Sequence, residues 1–414
     1  MSTSKIKVLT PQYMTSFTCK GKECEDTCCK FWRIDIDYET YKRYIKISDP
    51  KMKYLVGENV IKNKKDADKN KYAYFKLNDS GYCTFLDEEG LCSFQKKYGF
   101  EYLCRVCQTY PRRHVEIDGI LERSGTVSCP EIARVMLFND QPMEFDEFEE
   151  KVEAQISTEL NVTTSDESIF KRPLLKYLWP IREVCIDILQ NRSGSINDRL
   201  ILLGLFANKL EILKEEEKWD ALQQHIHRYS EVSKSNDVKS MLVNIPSDGY
   251  LQFKMIMEML VLRLKFDQTS NSFNDILKEF KEGIGYFDGI TIQQAFSNYC
   301  EIKTEYSNKF DDQFPQVFEN YYVNYVFSKV FPVFPSENAM ENYIRLAVDY
   351  AIIRMFLVGV GAYHHGYNEV IVQKLFSGLS VTIEHNSRFV DFIVESIKIL
   401  QGDKLAFTTV LVQG

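Results

Sequence analysis

The segment FTCKGKECEDTCC, residues 17–29, contains four of the chain's eleven cysteines, which are Cys19, Cys24, Cys28 and Cys29. Five more follow before residue 130, at Cys83, Cys92, Cys104, Cys107 and Cys129. Residues 131–414 contain only Cys185 and Cys300. Cysteine at this density indicates a disulfide framework, a metal site or an iron–sulfur cluster.

The bulk properties favour a metal or a cluster over disulfides. The chain has 414 residues, of which 44% are hydrophobic and 27% charged, so it can bury large cores without covalent staples. The start, MSTSKIKVLT, lacks the apolar core of a signal peptide, and no run of 18 apolar residues predicts a membrane span. We therefore expect a cytoplasmic protein, where thiols are kept reduced. The net charge of −8 argues against a nucleic-acid partner, and the sequence does not indicate an oligomeric state.

The hydrophobic pattern predicts a mainly α protein in two parts: a cysteine-rich α+β head over residues 1–140 and an all-α body over residues 141–414. Beyond about residue 130, apolar residues recur at three- and four-residue steps, beginning with a predicted helix over 144–158. Strands alternating with helices are absent from the pattern, which argues against a Rossmann-type sheet. The β-branched run 406–412 predicts a late strand or an extended tail.

Within the head, the pattern is less regular. We expect irregular structure over 1–37, a solvated loop over 51–71, and a β-meander of short aromatic runs over 72–94. A short helix is predicted over 96–108. Residues 114–123 predict a hairpin closed by a two-residue Asp118-Gly119 turn.

The spacing of the cysteines leaves several ligand arrangements open. Cys24 and Cys28 are one helical turn apart, and Cys104-x-x-Cys107 lets one turn present two sulfurs to one metal. Cys28 and Cys29 are adjacent, so they either meet one cluster at a turn or serve two centres. Nine thiols exceed one four-thiolate site, and both two centres and one cluster with extra structural thiols fit that number. Spacing does not separate zinc from iron.

The cysteine motifs, together with residues further along the chain, resemble a known family. The chain is similar to the broad family of zinc- or iron-chelating cysteine-cluster proteins, and within it to the flagellin lysine-N-methylase branch. The segments that carry the resemblance are PQYMTSFTC at 11–19, CCKFWRI at 28–34, CTFL at 83–86, LCSF at 91–94, TYPR at 109–112, SCPE at 128–131, ENYYVNY at 319–325 and IEHN at 383–386.

The resemblance implies an enzyme that methylates lysine side chains of flagellin, with S-adenosylmethionine as methyl donor and a 4Fe-4S cluster as cofactor. Cys104 does not find a place in the family's pattern. Arg112 and Arg113 can each bind a carboxylate of the donor or substrate through two hydrogen bonds, or form surface ion pairs. The resemblance suggests Glu384 and His385 as further residues that bind the donor. The metal ligands it implies are Cys19, Cys24, Cys28, Cys29, Cys83, Cys92, Cys107 and Cys129.

Methyl transfer sets requirements on the site. A lysine must lose its proton before it can attack, so we expect a Glu, Asp, Tyr or His acceptor in a cleft between head and body. The sulfonium of the donor is a cation, for which an aromatic-lined pocket is favourable. A cluster bound by three thiolates would leave one iron open to hold the donor. We also expect Trp32 to shield the metal site and His114 to lie on the surface of the hairpin.

Two other classes of protein fit the residues alone. One is a zinc-binding structural head on a helical protein-interaction scaffold without catalysis. The other is a redox protein or cluster sensor without methyl transfer. The zinc protein would be colourless, whereas either iron–sulfur protein would be brown after anaerobic purification.

Overall fold

A computed structural model describes residues 4–24, 26–30, 32–65, 68–152, 158–165, 172–235, 248–266, 271–383, 391–396 and 404–413. The protein is mainly α, with its β structure confined to the first 162 residues of the described chain, which confirms the predicted fold class. The strands are β1 (Ser4–Pro11), β2 (Asp35–Ile36), β3 (Val60–Lys62), β4 (Ala73–Phe75), β5 (Arg112–Ile117), β6 (Ile120–Gly125), β7 (Phe145–Val152) and β8 (Leu160–Val162).

The α-helices fall into a short set in the first 140 residues and a long set beyond them. The short ones are α1 (Tyr38–Tyr44), α2 (Pro50–Asn59), α3 (Ser93–Tyr98), α4 (Arg105–Thr109) and α5 (Pro130–Leu137). The long ones are α6 (Leu178–Gln190), α7 (Ile196–Glu215), α8 (Trp219–Val232), α9 (Gly249–Phe266), α10 (Asn271–Gly283), α11 (Ile292–Gln313), α12 (Val317–Ser328), α13 (Ala339–Tyr363), α14 (Glu369–Ile383) and α15 (Lys404–Gln413).

A five-stranded sheet of order β7-β1-β6-β5-β8 lies next to the helical body. The β5–β6 hairpin is the predicted one, and its turn residues Asp118 and Gly119 have φ values of 52° and 78°. Two positive φ angles in succession define the tight turn that matches the strand twist, and Asp-Gly tolerates them well. The hairpin prediction is confirmed.

The strand β7 replaces the helix predicted over 144–158, and that prediction is wrong. β7 pairs antiparallel with β1 along all eight residues of both strands. Cross-strand ion pairs join Lys5 to Glu149 at 2.7 Å and Lys7 to Glu147 at 3.2 Å. Pairing with β1, about 140 residues away in the chain, thus determines the conformation of this segment more strongly than its local apolar spacing does. The expectation of irregular structure over 1–37 also fails at β1.

Three further local predictions need correction. The supposed loop over 51–71 begins as α2, with Asp49 capping its first turn and Pro50 at its first position. The helix predicted over 96–108 is divided into α3 and α4, because Gly99 adopts a φ of 88° and ends α3. The tail over 406–412 is helical, as part of α15, because Leu411 and Val412 are buried against the body and packing outweighs β-branched propensity.

The predicted β-meander over 72–94 is present only in part. β4 is the central strand of a three-stranded sheet, β2-β4-β3. Beyond it, isolated bridges pair Leu77 with Cys83 and Leu86 with Cys92. These bridges hold the cysteine-bearing turns against the small sheet.

Two hydrophobic cores organise the described chain. The smaller core lies between residues 34 and 104, where Tyr44 and Phe94 stack with ring centroids 4.1 Å apart. The larger core takes in the five-stranded sheet and the helices α5 to α15. The predicted boundary at residue 140 cuts the five-stranded sheet, because β7 and β8 follow it in the chain. The smaller core is inserted between β1 and β5.

Helix α12 joins the sheet to the body through the segment ENYYVNY that contributed to the family resemblance. Asn324 accepts a hydrogen bond from the Tyr13 hydroxyl at 2.6 Å and donates to the Gly125 carbonyl at 3.1 Å. The fully buried Glu319 accepts from Arg192 at 2.8 Å and from Arg199 at 2.9 Å. These motif residues fix the packing of α12 and do not line the cleft described below.

One described helix, α13, is long and apolar enough to cross a membrane by length and composition, and 83% of its most apolar window is buried inside the protein. Central core helices pass the same test. Its burial among α7, α10 and α11 accounts for its composition.

Candidate functional site

The nine cysteines of residues 19–129 are free thiols that form two sets. The first set joins Cys28 and Cys129 to their neighbours Cys19 and Cys24. The second set is held within the smaller core and consists of Cys29, Cys83, Cys92, Cys104 and Cys107. The adjacent residues Cys28 and Cys29 fall in different sets but hydrogen-bond to each other, so the two sets touch at this point and both arrangements that their spacing left open stay predictions.

The second set includes Cys104, the thiol that the family resemblance did not place. Cys104 is fully buried, and its side chain hydrogen-bonds to Cys107, which with the desolvation of burial raises the Cys107 pKa well above the usual range. Burial, reinforced by the neighbouring thiols Cys29 and Cys92, raises the pKa of Cys83 to about 12. The signal that could have identified Cys104 was already in the sequence, as the Cys-x-x-Cys spacing.

The first set lies at the edge of the larger core. Burial, together with the nearby thiols of Cys24 and Cys19, raises the pKa of Cys129 to about 11. Cys19 and Cys28 are exposed. This set is thus the more open of the two to solvent and to small molecules.

The donor chemistry of both sets fits a cysteine-held metal or cluster. The groups that act on the pKa values of Cys83, Cys92 and Cys107 are other thiols and backbone N–H groups. Neighbouring thiolates repel one another, so several of these thiols can lose their protons together only if a cation lies among them. A bound metal ion or cluster provides that positive charge. In the arrangement that the described residues adopt, no three His, Cys, Asp or Glu side chains converge closely enough to enclose a metal ion.

A cleft of about 550 Å³ opens between the unit built around the smaller core (the small-core unit) and the five-stranded sheet. No cysteine lines it among the described residues, but its lining residues Tyr110 and Arg112 lie near thiols of the first set. Such a volume is typical of sites for drug-sized ligands and cofactors. The side chains on one wall come from the small-core unit, and they are Trp32, Asp35, Asp37, Asn70, Arg105, Val106 and Thr109. The other wall is formed by Tyr110, Arg112, Arg113, Thr126, Glu159 and Lys329.

Arg112, a predicted donor-binding residue, lines this cleft from the first position of β5. Its guanidinium lies over the Phe17 ring at 5.1 Å, and among the described residues it makes no hydrogen bond or ion pair. Burial, followed by the nearby charge of Arg123, lowers the Arg112 pKa. An arginine with uncommitted donors in a cleft is suited to bind a carboxylate through two parallel hydrogen bonds.

Two aromatic side chains, Trp32 and Tyr110, also line the cleft, with ring centroids 5.8 Å apart and planes inclined by 34°. The Trp32 indole N–H donates to the Cys28 carbonyl at 2.6 Å. The Tyr110 hydroxyl lies 3.2 Å from the Ser128 hydroxyl. Burial raises the pKa of Tyr110 well above its usual range, so the phenol keeps its proton and is a poor proton acceptor.

Three carboxylates complete the cleft. Glu159 accepts from Arg113 at 2.6 Å, and Asp35 accepts from Arg33 at 2.7 Å. The buried Asp37 caps α1 by accepting from the backbone N–H of Thr40 at 3.0 Å. Because Asp37 is committed to that cap, Asp35 and Glu159 are the carboxylates more available to a ligand.

The remaining predicted residues fall elsewhere. Glu384 and His385 lie outside the described residues. His114 is buried, and it accepts a hydrogen bond from Arg123 at 3.3 Å through Nε2. The expectation that it lies on the surface is wrong, because that face of the β5–β6 hairpin is covered.

The fold and the site together define a mainly helical protein with a thiol-rich unit and a ligand-sized cleft beside it. The family model of the FliB lysine N-methylase C-terminal domain matches residues 182–411, more than half of the chain. The chain belongs to the FliB lysine N-methylase family, and it is a lysine N-methyltransferase.

Curated relatives match a large part of the chain. The chain is 33% identical over 140 residues to the "Flagellar biosynthetic protein FliU" of Salmonella muenchen, a match that spans 34% of this chain and 82% of that protein. It is 22% identical over 357 residues, 85% of each chain, to the "Lysine-N-methylase" of Salmonella typhimurium strain LT2, with the same values for the protein of that name from Salmonella choleraesuis. No solved structure matches the chain.

Proposed function

We propose that this lysine N-methyltransferase acts on flagellin in the cytoplasm, takes its methyl group from S-adenosylmethionine, and uses head cysteines to hold a 4Fe-4S cluster. The observation that carries the proposal is the cleft, because it places the uncommitted Arg112 guanidinium next to the first thiol set. The names of the relatives support a flagellar protein as substrate.

The reaction needs an unprotonated lysine amine. Its nitrogen lone pair attacks the methyl carbon of the sulfonium, the carbon–sulfur bond breaks, and the electron pair of that bond stays on sulfur as the thioether product. The new methylammonium then releases a proton. Asp35 and Glu159 are the cleft carboxylates that we assign to hold the incoming ammonium and receive its proton.

The donor has a carboxylate in addition to its sulfonium. Arg112 would bind that carboxylate, and this orients the methyl group toward the substrate. When bound, a 4Fe-4S cluster with one iron free of protein ligands can hold the amino and carboxylate groups of such a donor. The residues that we assign to hold it are three of the four thiols of the first set, Cys19, Cys24, Cys28 and Cys129, because thiols of this set act on the pKa values of the cleft residues Tyr110 and Arg112.

The second set would hold its own metal within the smaller core. Its thiols pack against Tyr44 and the other aromatic side chains of that core, which favours a structural role. Because the chain belongs to a lysine N-methylase family, the two alternative functions that lack methyl transfer, the interaction scaffold and the redox sensor, are excluded. Zinc remains an alternative occupant of either set.

The test uses the full chain purified without oxygen and loaded with iron and sulfide. It is incubated with S-adenosylmethionine and flagellin, and the flagellin is then analysed by mass spectrometry. We expect brown protein and flagellin lysines that gain methyl groups. Unmodified flagellin under these conditions would overturn the substrate or donor assignment. Methylation by a colourless, zinc-containing protein would overturn the iron–sulfur assignment alone.

A further inference from the structure

We propose that Trp32 and Tyr110 form an aromatic corner that binds the methylsulfonium cation of the donor. The inference rests on the proposed function, since it assigns a binding site within the same cleft. It names the two residues that would let the enzyme distinguish the charged donor from its neutral thioether product.

The two rings come from different parts of the chain and meet in the cleft. Trp32 precedes β2, whereas Tyr110 lies between α4 and β5. Their centroids are 5.8 Å apart and the planes are inclined by 34°, and both residues line the cleft, so both rings border the space that a ligand would occupy. A cation within about 6 Å of a ring centroid is attracted by the ring quadrupole.

The polar atoms of both side chains are already engaged. The Trp32 N–H donates to the Cys28 carbonyl, and the Tyr110 hydroxyl is paired with Ser128 Oγ, which in turn lies 3.0 Å from Thr126 Oγ1. What these side chains offer to the cleft is therefore their ring surface. The same hydrogen bonds hold both rings in place before any ligand arrives, which reduces the entropy lost on binding.

The cationic side chains near the aromatic corner are engaged elsewhere. Nearby cationic side chains lie over other rings, with Arg112 over Phe17 at 5.1 Å and Arg33 over Tyr74 at 4.5 Å. Within the described chain, no Lys or Arg lies over Trp32 or Tyr110 in this way. An aromatic surface that is ordered, accessible from a cleft and not covered by an internal cation is suited to bind a cationic ligand.

Arg112 makes the sulfonium a better match than the substrate ammonium. It follows Tyr110 by two residues and lines the same cleft. The donor carries its carboxylate and its sulfonium on one short chain, so a single ligand can occupy both the guanidinium and the aromatic corner. A lysine side chain within a protein has no carboxylate to place there.

Binding of S-adenosylmethionine and of its neutral product S-adenosylhomocysteine to the full, anaerobically purified chain tests the proposal without substrate or turnover. We expect the wild type to bind the sulfonium about five- to thirtyfold more tightly than the thioether. Trp32→Leu and Tyr110→Leu should each move that ratio toward one while the thioether still binds. Trp32→Phe should keep part of the preference, and Tyr54→Leu, which replaces an exposed ring on α2, should keep all of it.

The outcomes distinguish a failure of the donor assignment from a failure of the aromatic corner alone. If the wild type binds neither ligand, the donor assignment in the proposed function fails, and the aromatic corner with it. If both ligands bind and the ratio in folded Trp32→Leu and Tyr110→Leu proteins equals that of the wild type, the aromatic corner alone is overturned. Circular dichroism of each variant establishes that it is folded.

Discussion

The thiols of Cys28 and Cys29 hydrogen-bond to each other although the two residues belong to different thiol sets. The bond lowers the pKa of Cys29 to about 7, and it raises the pKa of Cys28. Neighbouring side chains normally diverge, so one turn of backbone here reaches both the smaller core and the edge of the larger one. A change in ligation or protonation at one thiol set therefore occurs within one residue of the other set.

Replacing Cys104 tests the composition of the second set. We expect Cys104→Ser to lower the metal content of the purified protein, because a buried hydroxyl is a poor ligand where a thiolate is required. Iron, acid-labile sulfide and zinc per chain are the quantities to measure. Cys300→Ser, at an exposed position on α11, is the matched control and should leave them unchanged. Full metal content in Cys104→Ser would remove Cys104 from the ligands.

Replacing Arg112 tests how the donor carboxylate is bound. Hydrogen bonds to charged groups contribute about 1.5–3 kcal/mol, so Arg112→Leu should weaken donor binding roughly tenfold to a hundredfold. Arg112→Lys should recover only part of the loss, because an ammonium lacks the two-pronged geometry. Arg228→Lys, at an exposed position on α8, controls for the change of side chain. Calorimetry with S-adenosylmethionine gives the comparison, and unchanged affinity in Arg112→Leu would contradict the assignment.

The buried ion pair between Arg182 and Glu122 should dominate the attachment of the sheet to α6. The two side chains are 4% and 2% exposed, and Arg182 Nη1 donates to Glu122 Oε2 at 2.7 Å. Arg182→Leu leaves a buried carboxylate without its partner, which should lower the free energy of unfolding by about 3–5 kcal/mol. In the exposed pair Lys5–Glu149, Lys5→Ala should cost less than about 1 kcal/mol. Urea unfolding measures the free energy of unfolding of both variants. Equal losses in Arg182→Leu and Lys5→Ala would show that the buried pair contributes no more than the exposed one.

The pair of Glu131 and Arg134 gives a pH dependence of defined sign. Hydrogen bonds from Arg134 at 2.9 and 2.8 Å lower the pKa of Glu131 below its ordinary value of 4.5. A lowered folded-state pKa stabilises the protein above the unfolded value, and this contribution is lost as the pH falls through the folded value. Glu131→Gln should therefore cost about 1 kcal/mol at neutral pH.

The decisive measurement for that pair is the stability difference between the wild type and Glu131→Gln at several pH values. The difference should be constant above pH 4.5 and shrink below it. Glu183→Gln, which changes an exposed carboxylate on α6, should show no such trend. A difference that grows on acidification would show that the assigned sign is wrong.

Sequence predicted what depends on local patterns. Asp118-Gly119 specifies its turn whatever surrounds it, and the body helices follow from apolar spacing that one buried face imposes. The start of α2 was also recoverable, because Asp49 followed by Pro50 is a helix-start signal. The lysine-rich composition further along that segment concealed it.

Long-range pairing accounts for what sequence did not predict. β7 is a strand because β1 pairs with it, and nothing near Phe145 encodes that partner. The division of the thiols into two sets depends on where Cys129 is placed by the larger core. The meeting of Trp32 with Tyr110 likewise requires two segments separated by almost the whole small-core unit.

Because the smaller core is inserted between β1 and β5, the two thiol sets are completed at different times during translation. During synthesis, the five thiols of the second set have all been translated by Cys107, when only β1 of the five-stranded sheet exists. The first set waits for Cys129, and β1 gains its antiparallel neighbour only after Val152. Since chains fold in the direction of synthesis, all ligands of the second set are available for the proposed metal before those of the first set are complete.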